Sequence, residues 1–216
     1  MLHVIGNQES IFNHFIQEIR DELIQKDPMR FRRNLERMGE IFAYEISKTM
    51  SYKMQDVKTC LGEANVSILD EQPVIATILR AGLPLHQGLM NYFDRSSSAF
   101  ISAYRKTSED YSFDIRVEYL SSPSIEGKVL ILSDPMLATG SSLVKSLEAL
   151  QSYGKPVHTH IVSVLASQQG VDMVQEALGS ENVTYWMGAI DSKLNSKSYI
   201  VPGLGDAGDL AFGAKI

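Results

Sequence analysis

The chain has 216 residues, 44% hydrophobic and 21% charged, with 15 Gly and 7 Pro; this mixture is that of a globular protein and excludes disordered, collagenous and low-complexity classes. Twenty Lys and Arg against 26 Asp and Glu give a formal charge of −6, which argues against a large nucleic-acid footprint, since that needs clustered Lys and Arg. The single cysteine excludes an intramolecular disulfide and a cysteine-rich metal site, and it fits a reducing compartment.

The opening MLHVIGNQES has neither a basic flank nor a long apolar core, so no secretory signal is expected. The longest apolar runs, such as Val74–Leu79, are too short to span a bilayer. A cytoplasmic protein without membrane contact is the expectation. Phe12, Phe15, Ile16, Ile19 and Leu23 recur at helical spacing, and Asp27-Pro28 reads as the stop of this first helix. Leu35, Met38, Ile41, Phe42 and Ile46 mark a second amphipathic helix. Residues 56–69 read as a hairpin turning around Leu61–Asn65, with Gly62 in the turn and Cys60 as a buried structural thiol.

From there strand and helix alternate. Strand 74–79 leads through Arg80-Ala81-Gly82 into a helix near 84–93, and strand 99–104 runs into an extended polar hairpin over 104–122. Strand 128–133 precedes a Gly/Ser-containing loop and a helix closed by Gly154; strand 160–167, a helix over 171–178 and strand 183–190 follow. Continuous Val/Ile/Leu strands separated by helices predict an α/β fold, a central mostly parallel sheet flanked by helices. No repeat or linker divides it, so residues 1–216 are expected to form one domain.

The segment VLILSDPMLATGSSLVKSLEAL, residues 129–150, is the most informative. A buried strand ends in Asp134, and a loop of small and hydroxyl residues opens into a helix. Ligands of open α/β sheets sit beyond the carboxyl ends of the strands, and the free N–H groups of a helix start bind phosphate. Thr139, Ser141 and Ser142 add hydroxyl donors, and Gly140 permits close backbone approach. A plain Ser N-cap on a crossover helix is the alternative. No Gly-Lys-Ser/Thr ending is present, so this is not a nucleoside-triphosphate P-loop. YIVPGLGDAGDLAFGAKI, from Tyr199 on, holds four glycines within eleven residues together with Asp206 and Asp209. It reads either as a loop that encloses a ligand with its backbone or as a loose chain end. Arg80 at one strand end and Arg105 with Lys106 at another would complete a site with two anionic halves; each alone reads as a solvated charge.

ILRAGL at 78–83, DPMLATGSS at 134–142, IDSKLN at 190–195 and YIVPGLGDAGD at 199–209 resemble, in order and spacing, the signature stretches of uracil phosphoribosyltransferases. The resemblance covers nearly the whole chain. It implies a phosphoribosyltransferase-like fold with N-terminal helices, a protruding β-hairpin and a C-terminal base-binding loop. It also implies the reaction of uracil with phosphoribosyl pyrophosphate to give UMP and pyrophosphate, with Mg²⁺. By position, Met136, Leu137, Ala138, Thr139, Gly140, Ser141 and Ser142 would hold the 5′-phosphate after Pro135, and Asp134 would lie by the ribose hydroxyls. Arg80 and Arg105 would hold pyrophosphate; Ile200, Gly205, Asp206 and Ala207 would frame uracil, with Asp206 also reaching the Mg²⁺-bound donor. Arg105, Asp134 and Asp206 are the catalytic candidates. The family further implies a homodimer or larger homo-oligomer and, in some members, a GTP effector. Ser141 replaces a second Gly, RKTSEDYS replaces a commoner Arg and acidic Thr-containing run, and Ala166-Ser167-Gln168-Gln169-Gly170 replaces Ala-Ala-Pro-Glu-Gly. Pro84 and His86 are also unusual after the arginine loop.

The residues suit that chemistry independently. Displacing pyrophosphate from an anomeric carbon needs positioning, leaving-group neutralisation and water exclusion rather than a nucleophile. Two other readings use the same residues: a non-catalytic sensor of phosphoribosyl pyrophosphate or a nucleotide, and a paralogous transferase for another base. His158 and His160 alternate on one strand face without an evident third metal ligand, and they read as packed or solvent-exposed side chains rather than a zinc site; the methionines and Trp186 read as core.

Overall fold

A computed structural model describes residues 1–107, 113–179 and 181–215, with side chains described for all of these except 103–107 and 113–117. The elements run β1 (Leu2–Val4), α1 (Ile11–Arg20), α2 (Pro28–Ser47), β2 (Tyr52–Lys58), β3 (Glu63–Leu69), β4 (Val74–Leu79), α3 (Gly82–Tyr92), β5 (Ser97–Thr107) and β6 (Phe113–Ser121). They continue with β7 (Val129–Ser133), β8 (Met136–Leu137), α4 (Ser141–Leu150), β9 (His158–Ser167), α5 (Gln168–Leu178), β10 (Val183–Asp191), β11 (Lys193–Leu194), β12 (Ile200–Val201) and α6 (Ala207–Phe212). The main sheet has the order β1-β10-β9-β7-β4-β5-β6, with the short β8 beside β9. All its pairings are parallel except β5 with β6. The expected mostly parallel sheet is therefore present.

Alternation along each strand sorts its side chains between two cores, because successive residues point to opposite faces. Ile75, Ile131, Val162 and Trp186 face a core built with Phe12, Leu35, Phe42 and Leu89 from α1, α2 and α3. Their neighbours Val74, Ala76, Leu130, Leu132, Ile161, Tyr185 and Met187 face the other core, with Leu143 and Leu147 of α4 and Val171 and Val174 of α5. Both faces are covered, which is why these strands read as continuous apolar runs.

Several boundaries differ from the sequence reading. Asp27-Pro28 does not stop the first helix but starts the second. Asp27 Oδ1 accepts the Met29 and Arg30 N–H groups at 3.0 and 3.1 Å, and Pro28 fills the first helical position, where its missing N–H costs nothing. The first helix ends at Arg20 because Asp21 Oδ1 accepts the Leu23 and Ile24 N–H groups instead, and Leu23 is exposed. The hairpin pairs Tyr52–Lys58 with Glu63–Leu69, so its turn is Thr59–Gly62. Cys60 there is exposed, not buried. Of the methionines, Met38 and Met187 are core, whereas Met29 and Met54 are exposed. No helix among the described residues is long and apolar enough to cross a membrane.

Candidate active site

Strand order reverses between β4 and β7. The chain leaves β4 through α3 to β5 on one side, whereas β7 and β9 lie on the other, and such a switch point opens a crevice at the carboxyl ends of the strands. Arg80 follows β4 and Asp134 follows β7, with Thr77 and Ser133 in register between them. Thr77 Oγ1 donates to the Ser133 carbonyl at 3.3 Å, and a Cβ on Gly82 would strike Thr77 Oγ1, so this glycine lets α3 start hard against the sheet. The backbone of Arg105 lies near the end of β5, paired with Ile115; its side chain and residues 108–112 lie outside what is described.

The loop after β7 is built from its own sequence. Asp134 Oδ1 accepts the Met136 N–H at 3.2 Å. Desolvation around the Asp134 carboxyl outweighs that bond and pushes its pKa up to about 6. Ser163 Oγ accepts the Leu137 N–H at 3.1 Å, and the Ala138 N–H donates to the Met136 carbonyl at 3.1 Å. Residues 136–138 thus spend their N–H groups within the loop and on β9. The anion-facing candidates narrow to Thr139, Gly140, Ser141 and Ser142, where α4 begins. Gly140 takes the left-handed conformation, φ 82°, and no side chain caps the helix, so the alternative of a Ser cap is absent; the Leu143 N–H turns back to the Gly140 carbonyl at 3.1 Å, and Ser141 and Ser142 stand at helix-start positions whose N–H groups have no partner one turn back. A small cleft is lined by Asp134, Thr139, Gly140 and Ser142. Pro135 and Leu137 are buried beneath the loop.

Ser167 was not anticipated as a site residue, yet it braces this loop. Its Oγ donates to the Ala138 carbonyl at 2.6 Å and accepts the Gly170 N–H at 2.8 Å. A Cβ on Gly170 would collide with the Ala138 carbonyl. The departure at 166–170 therefore supplies a hydroxyl clasp.

The second part of the site comes from the chain's end. Ile200 and Ala207 are buried, Gly205 is exposed, and Asp206 caps α6 by accepting the Asp209 N–H at 3.0 Å. Arg80 Nη2 donates to Asp209 Oδ1 at 3.1 Å and to the Gly213 carbonyl at 3.3 Å. Asp206 Oδ1 and Arg80 Nη2 lie 3.1 and 3.7 Å from where a Cβ on Gly208 would stand. Arg80 is thereby brought together with Asp206, and Asp209 emerges as its partner. Arg20 and Asp191 were also missed: they bond each other and the loop at Gly203. Burial opposes the charge on Asp191, but the Arg20 bonds and the Gly203 N–H overcome it and hold its pKa below the usual carboxylate value. His160, by contrast, is buried packing; its Nδ1 accepts the Trp186 Nε1–H at 3.1 Å. Among the described residues no cluster of three or more His, Cys, Asp or Glu could hold a metal ion by itself.

A family model described as uracil phosphoribosyltransferase matches residues 6–214. The chain belongs to the uracil phosphoribosyltransferase family. A uracil phosphoribosyltransferase from Porphyromonas gingivalis is 54% identical over 212 residues, covering 98% of each chain. One from Thermococcus kodakarensis is 39% identical over 207 residues, covering 94% of this chain and 88% of the relative. Among solved structures, the AQ2163 protein of Aquifex aeolicus superposes with a TM-score of 0.87 at 26% identity over the full length of both chains. An orotate phosphoribosyltransferase from Mycobacterium tuberculosis, solved with phosphoribosyl pyrophosphate, shares the fold with a TM-score of 0.53 at 13% identity, covering 87% of this chain and 95% of that one. The matched span of the uracil phosphoribosyltransferase model includes both halves of the candidate site, from Arg80 to Gly213.

Proposed function

We propose that this chain transfers the 5-phosphoribosyl group from phosphoribosyl pyrophosphate to uracil, giving UMP and pyrophosphate, within one domain over residues 1–216. The observation that carries this reading is the family match across residues 6–214, with DPMLATGSS at the strand-order reversal. In the reaction, uracil N1 bonds to C1′ as the bond from C1′ to the pyrophosphate oxygen breaks, and the N1 proton passes to the released pyrophosphate or to solvent. Positive charge develops on the ribose and negative charge on the leaving group.

The residues divide the work accordingly. The N–H groups of Ser141 and Ser142 at the start of α4, with the hydroxyls of Thr139, Ser141 and Ser142, bind the 5′-phosphate. The Asp134 carboxylate accepts from the ribose hydroxyls and faces the developing positive charge. Its desolvated environment makes that interaction stronger than it would be in water. Arg80 and Arg105 neutralise pyrophosphate. Ile200, Gly205 and Ala207 frame the base, which backbone groups read, and a loop matched to O4 and N3–H of uracil leaves two mismatched pairs with cytosine.

The donor set suits Mg²⁺, which takes oxygen ligands and is usually held by one or two carboxylates together with substrate phosphates. Asp206, whose Oδ2 lies 3.9 Å from Lys215 Nζ, would hold the ion on its pyrophosphate side, where it would supply charge neutralisation to the leaving group. The reading extends to a homo-oligomer. Among the described residues β2 and β3 pair only with each other, and their hairpin exposes Tyr52, Met54 and Val66 on the strands and Leu61 in the turn; an isolated two-stranded hairpin is marginal in water. A second copy of the chain would cover it, and sedimentation as a monomer would exclude this part.

The deciding experiment is incubation with uracil, phosphoribosyl pyrophosphate and Mg²⁺. UMP and pyrophosphate should appear in equal amounts, and chelation should stop them. No UMP from folded protein would overturn the reading, and a preference for hypoxanthine would favour the paralogue.

A further inference from the structure

The C-terminal loop is held at its turning point by residues from the opposite end of the chain. Arg20, the last residue of α1, engages both carboxylate oxygens of Asp191 at the end of β10, with Nη2 to Oδ1 and Nη1 to Oδ2 at 2.8 Å each. Gly203 closes the triangle. Its N–H donates to Asp191 Oδ2 at 2.9 Å, and its carbonyl accepts from Arg20 Nη1 at 3.0 Å. With φ at 58° and the Ile200 carbonyl where a Cβ would stand, only glycine fits this point. One residue on, the Leu204 carbonyl accepts from the Gln25 amide, which also donates to the Ile19 carbonyl, at 2.9 Å each once the amide is oriented to satisfy both. Two adjacent peptide groups of the loop are thus tied to the N-terminal segment.

Stability alone is a poor reason for such a pair. Asp191 is 8% exposed, and a desolvated ion pair gives little net stability over an apolar pair of the same shape. What the fork supplies is a fixed backbone. Recognition by main-chain N–H and C=O groups needs those groups placed to about 0.5 Å, and Gly203, Gly205 and Gly208 would otherwise leave the segment loose.

We propose that Arg20 and Asp191 are positioning residues for the base. The ion pair locks Gly203, and through it the backbone from Leu204 to Asp206, so that the first helix sets uracil affinity and selectivity without touching the substrate. This rests on the functional reading above.

The test compares wild type with Arg20→Lys, which keeps the charge but loses the fork, and Asp191→Asn, which keeps the shape but loses the charge. UMP formation by wild type checks the reading itself, and its absence would refute that reading rather than the positioning role. Given wild-type activity, both variants should raise the KM for uracil about 10- to 100-fold and narrow the preference over cytosine, with the Kd for phosphoribosyl pyrophosphate in the absence of uracil changed by less than about twofold. A variant that melts earlier but keeps the uracil KM and the cytosine ratio would show a merely structural pair and overturn the proposal. Amide hydrogen exchange on the folded wild type keeps the proposal refutable even where the variants do not fold. The Gly203 amide should exchange as slowly as the amides of β9 and β10, and exchange at the rate of an exposed loop would equally overturn it.

Discussion

Asp134 faces opposing demands from folding and from chemistry. Its pKa of about 6, raised by desolvation, means the folded protein holds a proton that the unfolded chain, titrating near 3.8, has already released. The ionised form is therefore a burden on the ligand-free fold above pH 6, and this burden fades as the pH falls toward 3.8. Asp134→Asn keeps the oxygen that accepts the Met136 N–H and removes the charge. The ligand-free variant should gain on the order of 1–3 kcal/mol at pH 8, read as a rise of about 2–4 °C in Tm per kcal/mol, with the gain gone at pH 4. Its kcat/KM should nevertheless fall by about 10²-fold or more, because a charge aimed at the developing cation is lost. A variant that is no more stable at pH 8, or that keeps its activity, contradicts the assignment. Thr139→Ala with Ser142→Ala should weaken donor binding by about 1.5–3 kcal/mol for each hydroxyl, the worth of a hydrogen bond to a charged oxygen; calorimetric titration of the folded double variant checks it. The residues behind these two predictions were legible because strand, loop and helix start are contiguous in sequence. Asp209 and Asp191 were not, since their partners Arg80 and Arg20 lie 129 and 171 positions away, and nothing local distinguishes a carboxylate that braces a loop from one in solvent. Ser167 stood out only as a departure from the family pattern. Its bond to the Ala138 carbonyl depends on how β8 lies beside β9.

At the level of elements, the buried strands were the most readable part. Strand 74–79 matches β4 residue for residue, and the expected strand 183–190 falls one residue short of β10, because burial on both faces leaves an unbroken apolar run. Helix ends were harder to place. Asp27-Pro28 carries the N-cap and first-position signature of a helix start, and the apolar spacing that continues to Leu23 outweighed it in the reading. β1, three residues long, has no periodicity to detect and exists through its pairing with β10. The crossing of α2 and α3 is likewise invisible in sequence and rests on two glycines. A Cβ on Gly39 would meet the Leu85 carbonyl and stand 3.0 Å from Gly88 Cα, and a Cβ on Gly88 would collide with the Glu36 carbonyl. Backbone cannot yield as a side chain does, so Gly88→Ala should cost about 1–3 kcal/mol or more. The adjacent exposed Gln87→Ala should stay within about 0.5 kcal/mol. Denaturant titration of the pair checks this, and equal midpoints would mean the helices do not approach as described. Since α3 begins two residues after Arg80, Gly88→Ala should also raise the KM for phosphoribosyl pyrophosphate, whereas Gln87→Ala should not.

The whole molecule should be acid-sensitive, and the cause lies away from the candidate site. Burial pushes the His86 pKa down to about 4, and burial with the neighbouring His158 and His3 pushes His160 down to about 3. His160 accepts the Trp186 Nε1–H, Trp186 stacks on the His3 ring at 4.2 Å, and the His158 and His160 ring centroids are 4.6 Å apart. The neutral imidazole is therefore the form the packing accepts. Both groups stay neutral in the folded protein while the unfolded chain takes up its protons near pH 6.5, so between pH 6.5 and about 3 the unfolded state binds more protons. Stability must fall as the pH drops through that window, and the two groups contribute on the order of 3–5 kcal/mol each by its end, at about 1.4 kcal/mol for each pKa unit. Asp134 acts in the opposite sense between pH 6 and 3.8, one group against His86, His160 and His158, whose pKa burial also lowers. Asp191, held below the usual carboxylate value, adds to the acid loss once it too protonates. The Tm should be flat from pH 8 to 7 and then decline steadily below pH 6.5. His160→Asn, which can still offer Trp186 an acceptor but cannot take up the proton, should be less stable than wild type at pH 7.5 through lost packing yet show the shallower decline toward pH 5. Thermal melts of the two proteins across that range separate the effects. Parallel profiles would mean that His160 is not the group that resists protonation.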